Sequence, residues 1–152
     1  MSVNFVIAGI ILIIIAIIDA ISLKILDSLL CILFLFCLGY DLVMNNSYII
    51  HGLISSLAFF LLFGGIYYFW GGLGFGDVKL VTCISYVAGF MSTIIICFIA
   101  SLFGLIFFVL LQKFKVEKQS KIPFAPFLAF AYCVVIIVRS IIYAGQTHFK
   151  DF

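Results

Sequence analysis

Two aspartates stand at the edges of long apolar segments, where an ionised side chain is costly and a functional role is the first hypothesis to consider. Asp77 follows Gly74-Phe75-Gly76, and Asp19 ends the first apolar segment. Glycines beside an acid let a backbone or an extended peptide come close, because they carry no Cβ. Two carboxyls held close share one proton near neutral pH, so one activates water while the other protonates a carbonyl oxygen. If these acids meet, the pair suits peptide hydrolysis without a metal.

Each acid also has a simpler explanation. Asp77 is compatible with an acid at a helix N-terminus, which accepts backbone N–H bonds and complements the helix dipole. Asp19 is compatible with a transport or proton-relay residue, or with an interfacial charge. Two further acids are not assigned to the chemistry. Asp27 is interpreted as the cap of the second helix, and Asp41 is expected about a membrane thickness away from Asp77.

Other kinds of site have little support. His51 and His148 have no partner at ligand spacing, so the sequence indicates no metal site and no cofactor. The five cysteines lie in apolar runs and form no Cys-x-x-Cys pair, which argues against a zinc site or a disulfide framework. The serines are scattered without a basic partner, so a serine nucleophile is not indicated.

The composition is that of a membrane protein. Of the 152 residues, 67% are hydrophobic and only 9% are charged, which no soluble domain matches. We therefore expect one domain, residues 1–152, that crosses the lipid bilayer several times and has the bilayer as a partner. The net charge of +2 gives no indication of nucleic acid. The first segment lacks a basic start and a small-residue cleavage site, so we interpret it as a retained helix. The oligomeric state stays open.

Segment lengths predict an all-α bundle of about six transmembrane helices. A bilayer core needs roughly 20 apolar residues per helix. Residues 78–112 would make a helix of about 52 Å, which is too long for one span, so we predict two helices with a turn near residues 89–93. A glycine-rich loop is predicted at 71–76. The six spans are expected at about 3–23, 29–44, 48–70, two within 78–112, and 124–144.

The distribution of lysines predicts the orientation. The loops after spans one, three and five carry most of the basic residues: Lys24, Lys79, Lys113, Lys115, Lys118 and Lys121. Basic loops remain in the cytoplasm, so both termini are expected outside. A five-span alternative would divide these lysines between the two sides. With six spans, Asp19 and Asp77 lie at matching depth near the cytoplasmic face.

Three motifs resemble one family. Gly74-Phe75-Gly76-Asp77-Val78-Lys79 resembles the Gly-x-Gly-Asp-x-Lys signature of the type IV prepilin peptidases, and Gly71-Gly72 precede it. Ile122-Pro123-Phe124-Ala125-Pro126 is similar to the family's Ile-Pro-Phe-Gly-Pro segment, which opens the last helix. The stretch from Asp19 to Asp27 resembles a third motif of the family. In that motif an acid is followed at fixed spacing by a basic residue and then by Ile-Pro-Asn or Leu-Pro-Asp. Three motifs in the family's order make the resemblance specific.

The resemblance implies a membrane aspartic endopeptidase, with Asp19 and Asp77 as the catalytic pair and no cofactor. It implies cleavage of the short basic leader of a prepilin-like protein, at the cytoplasmic face of a prokaryotic cell membrane. For Lys79, tuning of the acids and a snorkelling interfacial lysine are both open. The positions assigned to substrate binding or to the shape of the site are Gly74, Gly76, Lys79, Pro123, Phe124 and Pro126.

The chain departs from the family pattern at two motif positions. Leu26 stands where the family usually has proline, and Ala125 where it has glycine. Many larger bacterial members carry an amino-terminal cytoplasmic domain with paired Cys-x-x-Cys motifs that this sequence does not show, so we expect peptidase activity without N-methylation. The alternative from another class is a small polytopic transporter or membrane assembly subunit, in which Asp19 and Asp77 relay ions or protons.

Overall fold

The computed structural model describes residues 3–22, 26–44, 48–70, 74–113 and 123–148, and within them the regular structure is entirely helical. The helices are α1 Val3–Ser22, α2 Asp27–Val43, α3 Tyr48–Trp70, α4 Phe75–Ala88, α5 Phe90–Lys113 and α6 Ala125–His148. Several residues used in the predictions lie outside the described ranges: Lys24, Gly71, Gly72, Lys115, Lys118, Lys121 and Ile122.

The predicted break in the long apolar stretch is confirmed. Gly89 separates α4 from α5 with φ +83° and ψ 166°, a combination that is almost restricted to glycine. One predicted boundary is wrong, because the glycine-rich loop does not reach residue 76 and α4 begins at Phe75. The predicted last span, about 124–144, agrees with the apolar stretch Ala125–Ile142, and its helix continues to His148.

In the part of the chain that the structure describes, four helices are long and apolar enough to cross a membrane: Asn4–Ser22, Tyr48–Trp70, Phe90–Leu110 and Ala125–Ile142. Many of their large apolar side chains are exposed, which is the surface that lipid covers. The other two helices are shorter. With 17 and 14 residues, α2 and α4 are about 26 and 21 Å long, less than the roughly 30 Å hydrocarbon core.

The short helix α4 lies at the centre of the bundle. It contacts α1, α2, α3 and α5, while α6 packs against α1 and α5. Nine of its 14 residues are buried. The backbone of α3 comes close to α4 at Gly52, where a Cβ would lie 3.0 Å from the Tyr86 ring and from its carbonyl oxygen. The position of α4 is therefore determined by packing on several sides, and its two ends carry Asp77 and Tyr86.

Candidate active site

Asp19 lies in the last turn of α1 and is only 5% exposed. The backbone N–H of Ala125, the first residue of α6, donates to its Oδ2 over an N···O distance of 3.3 Å. A helix N-terminus carries a partial positive charge, so the start of α6 stabilises an ionised Asp19. The Ala125 contact uses the backbone and not the side chain. Alanine in place of the family's glycine therefore keeps this donor.

Asp77 lies in the first turn of α4, where Gly74 occupies the N-cap position. The Asp77 N–H donates to the Gly74 carbonyl oxygen at 3.0 Å, and the Gly74 N–H bonds back to the Asp77 carboxylate. A side chain that returns from the third helical position to the N-cap N–H forms half of a capping box. The simpler explanation of Asp77, an acid at a helix N-terminus, is thus confirmed as a local interaction.

The two acids interact with each other. Burial, and after it the nearby negative charge of Asp19, together raise the pKa of Asp77 to about 6, against the smaller opposing effect of the Gly74 N–H. Asp77 lies outside the four long apolar helices, at one end of α4. Two carboxyls that interact in this way do not ionise independently. Two neighbouring carboxyls of this kind can hold one proton between them.

Lys79 and Asp27 form an ion pair at the same end of the bundle. Lys79 Nζ lies 2.8 Å from Asp27 Oδ2 and 4.9 Å from the centroid of the Phe75 ring. The predicted role of Asp27 as the α2 cap is wrong. Leu26 holds the N-cap position without a side-chain cap bond, and Asp27 is the first helical residue. Its carboxylate is bound by a lysine from another helix instead.

This ion pair is expected to contribute little stability. The two side chains are 33% and 66% exposed, and exposed pairs contribute about 0.2–1 kcal/mol. We expect D27N, K79M and the double variant to give a coupling energy below about 1 kcal/mol. Chemical unfolding in detergent micelles measures it. A coupling of several kcal/mol would show that the pair is shielded from solvent.

The segment before α6 is consistent with a role in starting that helix. The N–H of Phe127 donates to the Phe124 carbonyl oxygen at 3.1 Å, and the Phe124 side chain packs against the core. Pro126 is the second residue of α6, where the missing N–H of proline breaks no helix bond. Pro123 and Phe124 thus lead directly to the Ala125 N–H that binds Asp19.

Asp41 lies at the opposite end of the bundle from Asp19 and Asp77, as the sequence predicted. Its neighbours are Asn4, in the first turn of α1, and Tyr86, in the last turn of α4. Sequence reasoning missed both neighbours. An asparagine near the start of an otherwise apolar span was the available signal.

Within the described residues, no three His, Cys, Asp or Glu side chains are grouped so as to hold a metal ion.

Comparison with known proteins identifies the family. A sequence model of the type IV leader peptidase family matches residues 6–109, which is more than half of the chain and includes Asp19 and Asp77. The chain belongs to the type IV leader peptidase family. The resemblance inferred from the motifs is confirmed. The match ends before residues 122–126, so it does not test the motif at the start of α6. Comparisons with curated proteins and with solved structures gave no match.

Membership of the type IV leader peptidase family implies a protease with a protein substrate. The long apolar helices fit the membrane setting of such an enzyme.

Proposed function

We propose that this leader peptidase family member is a membrane aspartic endopeptidase that removes the short basic leader of prepilin-like precursors, with Asp19 and Asp77 as its catalytic pair. One observation carries the proposal. Two acids from different helices interact at one end of the bundle, and the charge of one raises the pKa of the other. A lone structural acid needs no second carboxyl beside it, whereas shared-proton hydrolysis does.

The chemistry requires one proton on the pair. The ionised carboxylate accepts a proton from water as the water oxygen attacks the scissile carbonyl carbon, and the protonated carboxyl donates to the carbonyl oxygen. The tetrahedral intermediate then breaks its C–N bond as the first acid returns the proton to the departing nitrogen. As the C–N bond breaks, one hydroxyl proton of the tetrahedral intermediate passes to the second acid, and the carbonyl group of the carboxyl product forms. Each acid thus ends in a state from which another cycle can start.

The proposed orientation places this end of the bundle at the cytoplasmic face of a prokaryotic cell membrane, with both termini outside. It is supported by the lysines of the odd-numbered loops. The short helices α2 and α4 then complete six spans, with Asp77 at the interface. In this arrangement the apolar helix of the precursor packs against the bundle, and its extended cleavage segment lies over Gly74 and Gly76.

The proposal is tested by co-expression of the wild-type chain with a pilin-like precursor from the same genome. Mass spectrometry of the product should find a single cut after the basic leader. Intact precursor in membranes that contain folded protein would overturn the proposal. The transporter alternative predicts a different result, namely a proton or ion flux in proteoliposomes that is lost in D77N, with no proteolysis.

Gly74 provides a second prediction. A Cβ at this position would lie 3.0 Å from Asp77 Oδ2, which is tight enough to displace the carboxylate. We expect G74A to lower kcat by up to about 100-fold, because a shift of about 1 Å in a reacting group has effects of that size. The matched control is G65A, since a Cβ at Gly65 meets no atom within 4 Å. Equal cleavage rates for the two variants would contradict this prediction.

A further inference from the structure

A second buried acid connects the two helices that carry the proposed catalytic pair. Asp41, on α2, is 4% exposed. Its Oδ1 accepts a hydrogen bond from Asn4 Nδ2 at 2.7 Å, and its Oδ2 accepts one from the Tyr86 hydroxyl at 3.0 Å. Asn4 belongs to α1, as Asp19 does, and Tyr86 belongs to α4, as Asp77 does. One carboxylate therefore joins α1 to α4 at the end of the bundle away from the pair.

We propose that Asp41 is a positioning residue, whose bonds to Asn4 and Tyr86 hold α1 and α4 in the rotation and depth at which Asp19 and Asp77 face each other. The inference rests on the proposed function, because it assigns Asp41 a part in the same hydrolysis. Asp41 itself does not contact the reacting atoms.

The geometry of α4 makes this coupling direct. Tyr86 lies nine residues beyond Asp77, which is about 13.5 Å along one short helix. A helix of this length turns and slides as a unit, so a rotation that moves Asp77 away from Asp19 also moves the Tyr86 hydroxyl away from Asp41. The same holds for α1, where Asn4 and Asp19 lie near its two ends.

Hydrogen bonds add a constraint to the packing that already places α4 in the bundle. Apolar contacts are non-directional and depend mainly on buried area, so they tolerate small rotations of a helix better than hydrogen bonds do. A hydrogen bond weakens steeply when its angle or length changes. A buried acid is also expensive in a membrane protein. The presence of Asp41 at this place is explained by the orientation that its bonds impose.

The surroundings of Asp41 keep this end of α4 in one arrangement. The Tyr86 ring packs edge-on against Phe34 of α2, with 5.3 Å between centroids, and against the backbone of Gly52. Arg139 of α6 lines the same cavity as Asp41, which has a volume of about 170 Å³. Its guanidinium brings a positive charge to the acid's side of the bundle. The cluster therefore carries both signs of charge and does not repel itself.

The test compares Y86F and D41L with the swapped double variant N4D/D41N. Y86F removes one hydroxyl from the cluster, and D41L removes the carboxylate. Both should lower kcat for precursor cleavage by about 10- to 100-fold with KM within about twofold of the wild-type value, because the pair is misplaced while substrate contacts persist. In N4D/D41N, the amide now on α2 donates to the carboxylate now on α1 and accepts from the Tyr86 hydroxyl, so kcat should recover to within about threefold.

The matched control is S85A. Ser85 is buried next to Tyr86, but its hydroxyl donates to the Thr82 carbonyl oxygen within α4 at 2.8 Å. S85A should therefore keep the wild-type kcat. Wild-type kcat in Y86F and D41L, or a swapped variant no better than D41L, would overturn the inference. Thermal unfolding of every variant separates a loss of folded protein from a loss of kcat.

A distance measurement tests the inference even if the wild-type chain cleaves no precursor. Spin labels on S22C and F75C, in a chain whose own cysteines are replaced, report the separation of the α1 and α4 ends beside the pair. The distance distribution should be narrow in the parent, broad in Y86F and narrow again in S85A. A distribution that Y86F leaves unchanged would overturn the positioning role. Failure of the proposed function alone would leave the predicted broadening in place.

Discussion

Replacement of either Asp19 or Asp77 by asparagine is expected to abolish cleavage of a prepilin-like precursor while the protein still accumulates in the membrane. Asparagine keeps the size of the side chain and some of its hydrogen bonds, but it neither takes nor gives the proton. General acid–base catalysis contributes about 10²–10⁴-fold, so each variant should lose at least that factor. The double variant should be no slower than the slower single variant, because the acids act as one unit.

Single-turnover cleavage in membranes or detergent measures this effect, with product identified by mass. The matched control is D27N. Asp27 is an acid at the same end of the bundle, and its partner is Lys79, so D27N should retain most of the activity. Cleavage by D77N at the wild-type rate would show that the pair does not perform the reaction. Losses in D19N and D77N that multiply in the double variant would show that the acids act separately.

Replacement of Gly89 by alanine is expected to reduce the yield of folded protein severely. The φ of +83° and ψ of 166° lie in a region that costs other residues about 1–3 kcal/mol. A Cβ there would also collide with the Tyr48 hydroxyl oxygen. We expect G89A to lower the free energy of unfolding by at least about 1–3 kcal/mol. The atom that collides is the far end of the Tyr48 side chain, so movement of that ring can relieve the collision, whereas the cost of the backbone conformation remains.

Unfolding in detergent micelles, together with size-exclusion yield, measures the effect of G89A. The control is G39A, since a Cβ at Gly39 of α2 meets no atom within 4 Å. The variant Y48F/G89A divides the loss into two parts. It should recover the part due to the collision and retain the part due to the backbone conformation. A G89A protein as stable as G39A would mean that the break between α4 and α5 lies elsewhere.

The features that were correctly predicted from the sequence depend on local properties. Membrane residence follows from apolar length, and the break at Gly89 follows from a stretch too long for one span. The family follows from the order of three short motifs, and the family match agrees with it. The predicted cap role of Asp27 was wrong because α2 begins at Asp27 itself, with Leu26 at the N-cap position. The Asp27 carboxylate makes a tertiary contact instead. Lys79, which lies 52 residues along the chain, binds its carboxylate.

The orientation of the helices was decided only by the tertiary structure. The Ala125 N–H reaches Asp19 across 106 residues of sequence, and Asp41 joins Asn4 to Tyr86 across 37 and 45 residues. In a soluble helix, the apolar stripe shows which face turns inward. In a bilayer, lipid tails are as apolar as the protein core, so the inward and outward faces carry the same kinds of residue. Composition and length therefore determine that these segments suit a membrane, whereas packing and a few buried hydrogen bonds determine which of their residues meet.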